Sequence, residues 1–388
     1  MSIRKTAPGR WQISVFLGTD PVTGKKLRGY HSFRGTRREA EREETRLLRE
    51  RDLGTYILPC RLTVANFLDK WLESVKPNVR TRTYEGYESI VRVHVSPSLG
   101  TVPLDKLRPM HLQTYYSEQQ AHGGYKQKPL SALTVHHHHR LLHEALSQAV
   151  RWQVLPTNPA EAVTPPRFES RRPTIMDEDE TAKFLEQVKA SGGILYLPIL
   201  LESATGLRRS ELLALTWDSI DWKAGALAVS RGLHKTKAGL VFEEPETNLS
   251  RRTVSLPPFA LKILRQHRKD QLELKMSLGG AYQDHNLICC RPDGRPWEPA
   301  RFSADFGDLM QKLGRAGLRF HDLRHVHASQ LLRRGLDIQS TSARLGHSTS
   351  TTTLSIYSHT LQDADAAAAR MLERTLGKAV RKAQDASV

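Results

Sequence analysis

Five side chains in this 388-residue chain have the types and order needed to move a phosphoryl group without a metal. Arg208 stands in Thr205-Gly-Leu-Arg-Arg-Ser-Glu-Leu, His321 and Arg324 in His-Asp-Leu-Arg, His347 in Leu-Gly-His, and Tyr357 in Ser-Ile-Tyr-Ser-His. The negative charge of a phosphodiester grows as phosphorus becomes pentavalent. Donors fixed around its equatorial oxygens therefore stabilise the transition state more than the ground state. Arginine suits the task because its planar, permanently charged fork grips two oxygens at once, which lysine cannot do. Arg208 and Arg324 are expected to form a phosphate clamp, with Tyr357 as the nucleophile. A tyrosine of ordinary pKa, about 10, must lose its proton during attack or have its oxygen stabilised by nearby cations. Any one of these residues alone would fit a structural place; their conjunction carries the reading.

Arg324 precedes His347 by 23 residues, and Tyr357 follows His347 by 10. In these motifs and spacings the chain resembles the tyrosine recombinase (phage integrase) family, of the lambda-integrase type. The resemblance implies a site-specific DNA recombinase that integrates or excises a phage or mobile element through a 3′-phosphotyrosine intermediate. That intermediate conserves the bond energy, so rejoining needs no ATP. The implied partners are double-stranded DNA at core and arm attachment sites, a homotetramer assembled on that DNA, and an accessory directionality factor, with no metal and no cofactor. By the same resemblance His321 assists proton transfer and His347 donates to a phosphate oxygen; three residues apart, His321 and Arg324 share one helix face. Glu211 reads as a helix-anchoring carboxylate, and His325, His327 and His359 as packing or surface histidines.

One position departs from the family pattern. Its members carry a lysine, the general acid toward the leaving 5′-oxygen, in the turn before the third strand of a small sheet. The matching stretch, Glu244-Pro-Glu-Thr-Asn-Leu-Ser-Arg251, places Glu246 there. Loss of a general acid costs about 10²–10⁴-fold in rate, and a carboxylate would repel the phosphate. Lys235 and Lys237 are the candidate substitutes, from the preceding strand or hairpin turn.

Composition agrees with a polyanionic partner. The chain has 58 Lys+Arg against 41 Asp+Glu, a formal charge of +17, which suits DNA but would also suit RNA or an anionic membrane. A membrane span is not expected: the longest apolar candidate, Ile194 to Leu201, is short and contains Pro198. The N-terminus lacks a secretory pattern, and three cysteines, two of them adjacent at Cys289 and Cys290, disfavour a disulfide framework. The expected compartment is the cytoplasm of a bacterial host, at the nucleoid. The run His136 to His139 lies within a helical segment and reads as a polar or DNA-facing helix surface rather than a metal site, although His136, His139 and His143 could share a face.

The elements that must position these groups form a multidomain, mainly α chain with small β-sheets. Residues 1–57 read as a ββ(β)α unit: Trp11 to Leu17 and Lys25 to Phe33 as a hairpin, then a helix opened by the capping box Thr36-Arg-Arg-Glu39. The unit resembles an arm-type DNA-binding domain. Residues 62–160 read as a helical core-binding domain. Val64, Phe67, Leu68, Trp71 and Leu72 mark its first helix, followed by helices centred on Tyr84 to Val93, Met110 to Gln120 and Ser131 to Val154; Arg80 and Arg82 are candidate DNA contacts. Prolines and charges at 161–173 mark a linker, which in the family lets two domains close around DNA. Residues 174–388 read as a mixed α/β catalytic domain. It should contain a three-stranded sheet from Leu227–Val229, Leu240–Phe242 and Thr253–Leu256. A helical tail follows Tyr357, either packed on its own domain or docked on a neighbouring protomer.

Two other functions share these features. A DNA-relaxing type IB topoisomerase-like enzyme would use the same tyrosine chemistry but needs no arm-binding module. An integrase-derived DNA-binding regulator, crippled at Glu246, would bind DNA without forming a covalent adduct.

Overall fold

The computed structural model describes residues 3–19, 24–52, 62–169, 171, 173–244, 251–346, 369 and 372–377. The chain divides into two compact units, Met1–Ser170 and Arg171–Val388.

The first unit holds two separate apolar cores. Its N-terminal part is a three-stranded antiparallel sheet, β1 (Ile3–Ala7), β2 (Arg10–Thr19) and β3 (Lys26–Arg34), in that spatial order, followed by α1 (Arg37–Asp52). Period-2 alternation along β2 turns Ile13 and Val15 inward onto Leu47 of α1. The capping box forms as its residues require: Glu39 accepts from the Thr36 backbone N–H at 2.7 Å, and Thr36 Oγ1 accepts from the Glu39 N–H at 3.3 Å.

The helical part contains α2 (Val64–Val75), α3 (Thr81–Ser89), a π-helical stretch at Ile90–Val95, α4 (Ser96–Leu99), α5 (Pro109–His122) and α6 (Ala132–Arg151). All five stripe residues of α2 are buried. Burying each such side chain contributes about 1.5–3 kcal/mol, and Trp71→Ala alone should cost about 3–5 kcal/mol. From α3 helical turns run on through the π stretch into α4, across Ser96-Pro97. Arg80 is the N-cap of α3, and Arg82 is exposed in its first turn.

The histidine run corrects the expectation of a polar outer surface. Consecutive residues point about 100° apart around a helix, so only His137 of the four is exposed, while His138 is buried against α5. The Tyr115 hydroxyl lies 3.0 Å from His138 Nδ1 and the Tyr116 hydroxyl 3.1 Å from His139 Nδ1. Burial, then His94 and His137, pushes His138 down to about 4, so its neutral ring accepts from a buried phenol. The rings of His136, His139 and His143 do share one face, tilted to one another with centroids 6.2 and 5.9 Å apart.

Among its described residues the second unit contains α7 (Glu178–Ala190), α8 (Tyr196–Thr205), α9 (Arg209–Leu212), five strands, α10 (Pro258–Leu278), α11 (Pro299–Lys312), α12 (Phe320–Arg333) and α13 (Ile338–Leu345). The strands are β4 (Ile220–Asp221), β5 (Ala226–Val229), β6 (Gly232–Thr236), β7 (Gly239–Glu243) and β8 (Arg252–Ser255). The single three-stranded sheet expected from sequence is instead two sheets. β4, β5 and β8 form one, while Leu240–Phe242 lies in β7 and pairs with β6 as a separate hairpin. The reason is local: Gly239, at φ +121°, closes a tight turn directly after β6, so β7 folds back on its nearest neighbour rather than on β5. The mixed His-Lys-Thr composition of β6 had hidden that partner. The main core packs α7, α8, α11 and α12 through Phe184, Ile199, Phe302, Phe306 and Phe320. No helix among the described residues is long and apolar enough to cross a membrane.

Candidate active site

The site is built on two helix ends. α8 stops because Gly206 adopts the left-handed conformation, φ +66°, and its N–H donates to the Glu202 carbonyl at 2.7 Å. A Cβ there would lie 2.6 Å from the His327 ring, so the position is closed to other residues by both backbone and space. The chain then turns, and Arg208 becomes the N-cap of the one-turn α9. Glu211 reaches back to accept from the Arg208 backbone N–H at 2.9 Å and from its Nη1 at 2.8 Å. The expected helix-anchoring carboxylate thus also orients the arginine.

α13 ends in the same way, at Gly346 with φ +68°. Helix ends leave carbonyls without intrahelical partners, carrying partial negative charge. Both predicted arginines come to them: Arg208 Nη2 donates to the Gly346 carbonyl and Arg324 Nη2 to the Leu345 carbonyl, each at 2.7 Å. Arg324 Nη1 donates in addition to the Gly206 carbonyl at 2.6 Å, tying the two helix ends together. Arg324 is 2% exposed, and burial followed by the Arg208 charge lowers its pKa. Arg208 remains more than a third exposed, so the pair presents one open guanidinium beside one enclosed one.

Sequence reasoning missed Arg252. From β8 its Nη2 and Nη1 donate to the two Glu211 oxygens at 2.9 and 3.2 Å, and its Nε to the Arg344 carbonyl at 2.7 Å. Burial alone would raise the Glu211 pKa; the hydrogen bonds and charges of Arg252 and Arg208 hold it below its ordinary value. The usable signal was alternation, since Arg252 stands two residues before the buried Val254 and so shares its face. His327, also not assigned a site role from sequence, is buried with Nδ1 2.9 Å from the Ser203 carbonyl and Nε2 accepting from Arg344 Nε at 3.1 Å. Burial, then Arg344, pushes it to about 4. It is therefore a neutral spacer between α8 and α13.

His321 lies in the first turn of α12, three residues before Arg324. Its ring stands edge-on to His325 at 5.1 Å and keeps solvent-exposed surface. Partial desolvation, then His325 and Arg324, lowers its pKa, so at neutral pH the free ring can accept a proton. Lys235 sits on β6 with Nζ 3.7 Å from Glu298, and Lys237 lies in the turn between β6 and β7. His347, Tyr357, His359 and Glu246 lie outside the described residues, as does most of the C-terminal tail, of which Glu373–Gly377 forms a π-helical turn. Chemically, the described part offers cationic donors on a rigid carbonyl frame, with a neutral imidazole nearby.

Comparison with known proteins points in one direction. Residues 174–363 match the model of the phage integrase family, and residues 63–119 that of the phage integrase N-terminal SAM-like domain. The chain is 25% identical over 359 residues to the ICEBs1 integrase of Bacillus subtilis, covering 92% of this chain and 95% of that protein. It is 27% identical over 373 residues to a "Tyrosine recombinase XerC-like" protein of Caldanaerobacter subterraneus, covering 90% and 92%. Among solved structures it resembles the Tn1549 transposon integrase in complex with a circular intermediate DNA, with TM-score 0.66, 22% identity, and coverage of 80% of this chain and 99% of that one. A lambda integrase dimer bound to a core site gives TM-score 0.55 at 18% identity, covering 92% and 94%.

Proposed function

Because the chain belongs to the phage integrase family and is a tyrosine recombinase, we propose that it integrates or excises a phage or integrative element at specific attachment sites. The observation that supports this reading best is the meeting of Arg208 and Arg324 on the carbonyls of Leu345 and Gly346, directly before His347 in the chain. In this reading the two guanidiniums grip the non-bridging oxygens of the scissile phosphate, and His347 donates to one of them. The Tyr357 oxygen bonds to phosphorus as the bond to the 5′-oxygen breaks, giving a 3′-phosphotyrosine and a free 5′-hydroxyl. The tyrosine proton passes toward His321, whose lowered pKa leaves its ring free to take it. A 5′-hydroxyl from a second strand then reverses the step and releases the tyrosine. Lys235 or Lys237 supplies the proton to the leaving oxygen in place of the lysine replaced by Glu246.

Residues 1–57 bind arm-type DNA, 62–160 bind the core site with Arg80 and Arg82, 161–173 link, and 174–388 perform the chemistry, as a tetramer on DNA in a bacterial cytoplasm with an accessory directionality factor. The tetramer is supported by a structural relative, a lambda integrase tetramer bound to a Holliday junction.

A nicked suicide duplex tests the reading. The wild-type chain should leave a covalent protein–DNA adduct that persists in EDTA, and Tyr357→Phe should bind without forming one. Binding with no adduct from the wild type would favour an integrase-derived regulator, the second reading that Glu246 supports. Relaxation of supercoiled DNA without site preference would favour a topoisomerase. Glu246→Lys should speed cleavage, and less so where sulfur replaces the leaving 5′-oxygen, because a thiolate departs without a proton. An unchanged rate in that variant, with a sulfur-rescued defect in Lys237→Ala, would assign the acid to Lys237.

A further inference from the structure

The buried cluster around the arginines holds one acid that the reaction above does not use. Glu202 lies on α8, four residues before Gly206, is 0% exposed, and neither carboxyl oxygen has a hydrogen-bond partner among the described residues. Its helix neighbours Ile199, Leu200 and Leu201 are buried and apolar, so packing alone gives no reason for a carboxyl here. Unpaired buried polar groups are rare and call for an explanation.

Charged groups act on it from three of the elements around it. Arg324 acts on it from α12, Glu211 from α9 and Arg252 from β8. His327 of α12 and Arg344 of α13 bind the carbonyls of Ser203 and Ala204, the next two residues of α8. Burial raises the Glu202 pKa well above its ordinary value; Arg324 opposes this, Glu211 adds to it, and Arg252 opposes it again. The proton on Glu202 is thus balanced between a desolvation cost that favours the acid and cations that favour the carboxylate. A phosphate entering the clamp adds a second anion to the same cations, and two anions sharing one cationic site push a carboxyl toward its neutral form.

We propose that Glu202 is a proton-linked positioning residue of the phosphate clamp: its carboxyl takes a proton from solvent as a DNA phosphate meets Arg208 and Arg324, and returns it when the phosphate leaves. In the protonated state the full charge of Arg324 is available to the phosphate; in the ionised state Glu202 competes for it. The inference rests on reading the two arginines as a phosphate clamp.

Infrared difference spectroscopy of the full chain tests it, because above neutral pH a protonated carboxyl C=O band stands apart from the ionised acids. The probe is mixed-sequence duplex DNA, and Glu202→Gln is the isosteric control, with Glu202→Leu in its place should the amide variant fail to fold. The wild type should show a band that the folded variant lacks. Its midpoint should move upward by about 1 pH unit or more when DNA is added. In parallel, adduct formation on the suicide duplex should fall more steeply with rising pH in the wild type than in Glu202→Gln, a difference that a purely structural role would not produce. A band that survives in the folded variant, or a midpoint unmoved by DNA, overturns the proposal. Absence of any wild-type adduct would count against the recombinase reading, whereas a DNA-dependent midpoint in the same sample would still support the proton linkage.

Discussion

Two helix contacts in this molecule bury titratable side chains, and they do so by opposite means. Between α5 and α6, Tyr115 and Tyr116 meet His138 and His139; burial pushes both phenols up and both imidazoles down, so every member is neutral and each hydroxyl has a ring nitrogen beside it. Around the ends of α8 and α13, by contrast, Arg324, Arg252 and Glu211 are buried as ions, with Glu202 unpaired among them. Neutral pairs satisfy one another at little cost. Buried ions lose their hydration, and their attraction repays this only in well-paired geometry, so apolar replacement would often serve stability as well or better. Nothing in the packing of α8 against α12 requires cations. Their retention at this contact is what the proposed phosphate clamp would require, whereas the tyrosine–histidine layer is explained by the fold itself.

The comparison breaks most readily at Arg324. Arg324→Lys keeps a charge but loses the fork that spans the Gly206 and Leu345 carbonyls. Adduct yield on a suicide duplex should fall about 10²–10³-fold, the usual effect of removing one preorganised donor. His138→Phe, made in the other layer, should leave the rate of adduct formation unchanged. An equal loss from both would mean that the two contacts are not functionally distinct.

Acid should separate the two layers next. The folded-state pKa of His138 lies below its ordinary 6.5, near 4, so the unfolded chain binds this proton more readily. The stability it contributes is complete above pH 6.5 and is lost as pH falls toward 4, by about 2 kcal/mol at pH 5 and about 3 kcal/mol in all. Hydrogen exchange of α6 amides at pH 7 and pH 5 should show this loss in the wild type and a flatter response in His138→Phe. Glu202 works in the other direction. Its folded-state pKa is raised, so the stability it contributes is complete below its unfolded value and lost as pH rises through the folded one. Glu202→Gln should therefore gain thermal stability over the wild type on the alkaline side.

The smallest effect is expected from Tyr116→Phe, which removes the hydroxyl facing His139 and should cost about 1 kcal/mol in urea unfolding with no change in cleavage. A loss several times larger would show that the neutral layer is as tightly coupled as the ionic one.

Much of this arrangement is legible in the amino-acid order because it depends on near neighbours. The stripe of α2, the Thr36–Glu39 box, the αL glycines that stop α8 and α13, and the position of Arg208 at the helix start just after Gly206 all follow from 3.6-residue periodicity, capping and positive φ. The alignment of His321 with Arg324 on one turn of α12 is of the same kind. What the tertiary structure alone decided is each contact that joins distant segments. Arg324 reaches the Gly206 carbonyl across 118 residues, Arg208 the Gly346 carbonyl across 138, and Arg252 reaches Glu211 across 41. The pairing of β7 with β6, the inward turn of His138 and the Glu202 carboxyl without a hydrogen-bond partner among the described residues are likewise products of packing. Local order specifies which groups a helix or turn can offer; which charges share a low-dielectric space depends on how whole elements pack, and no short-range pattern encodes that.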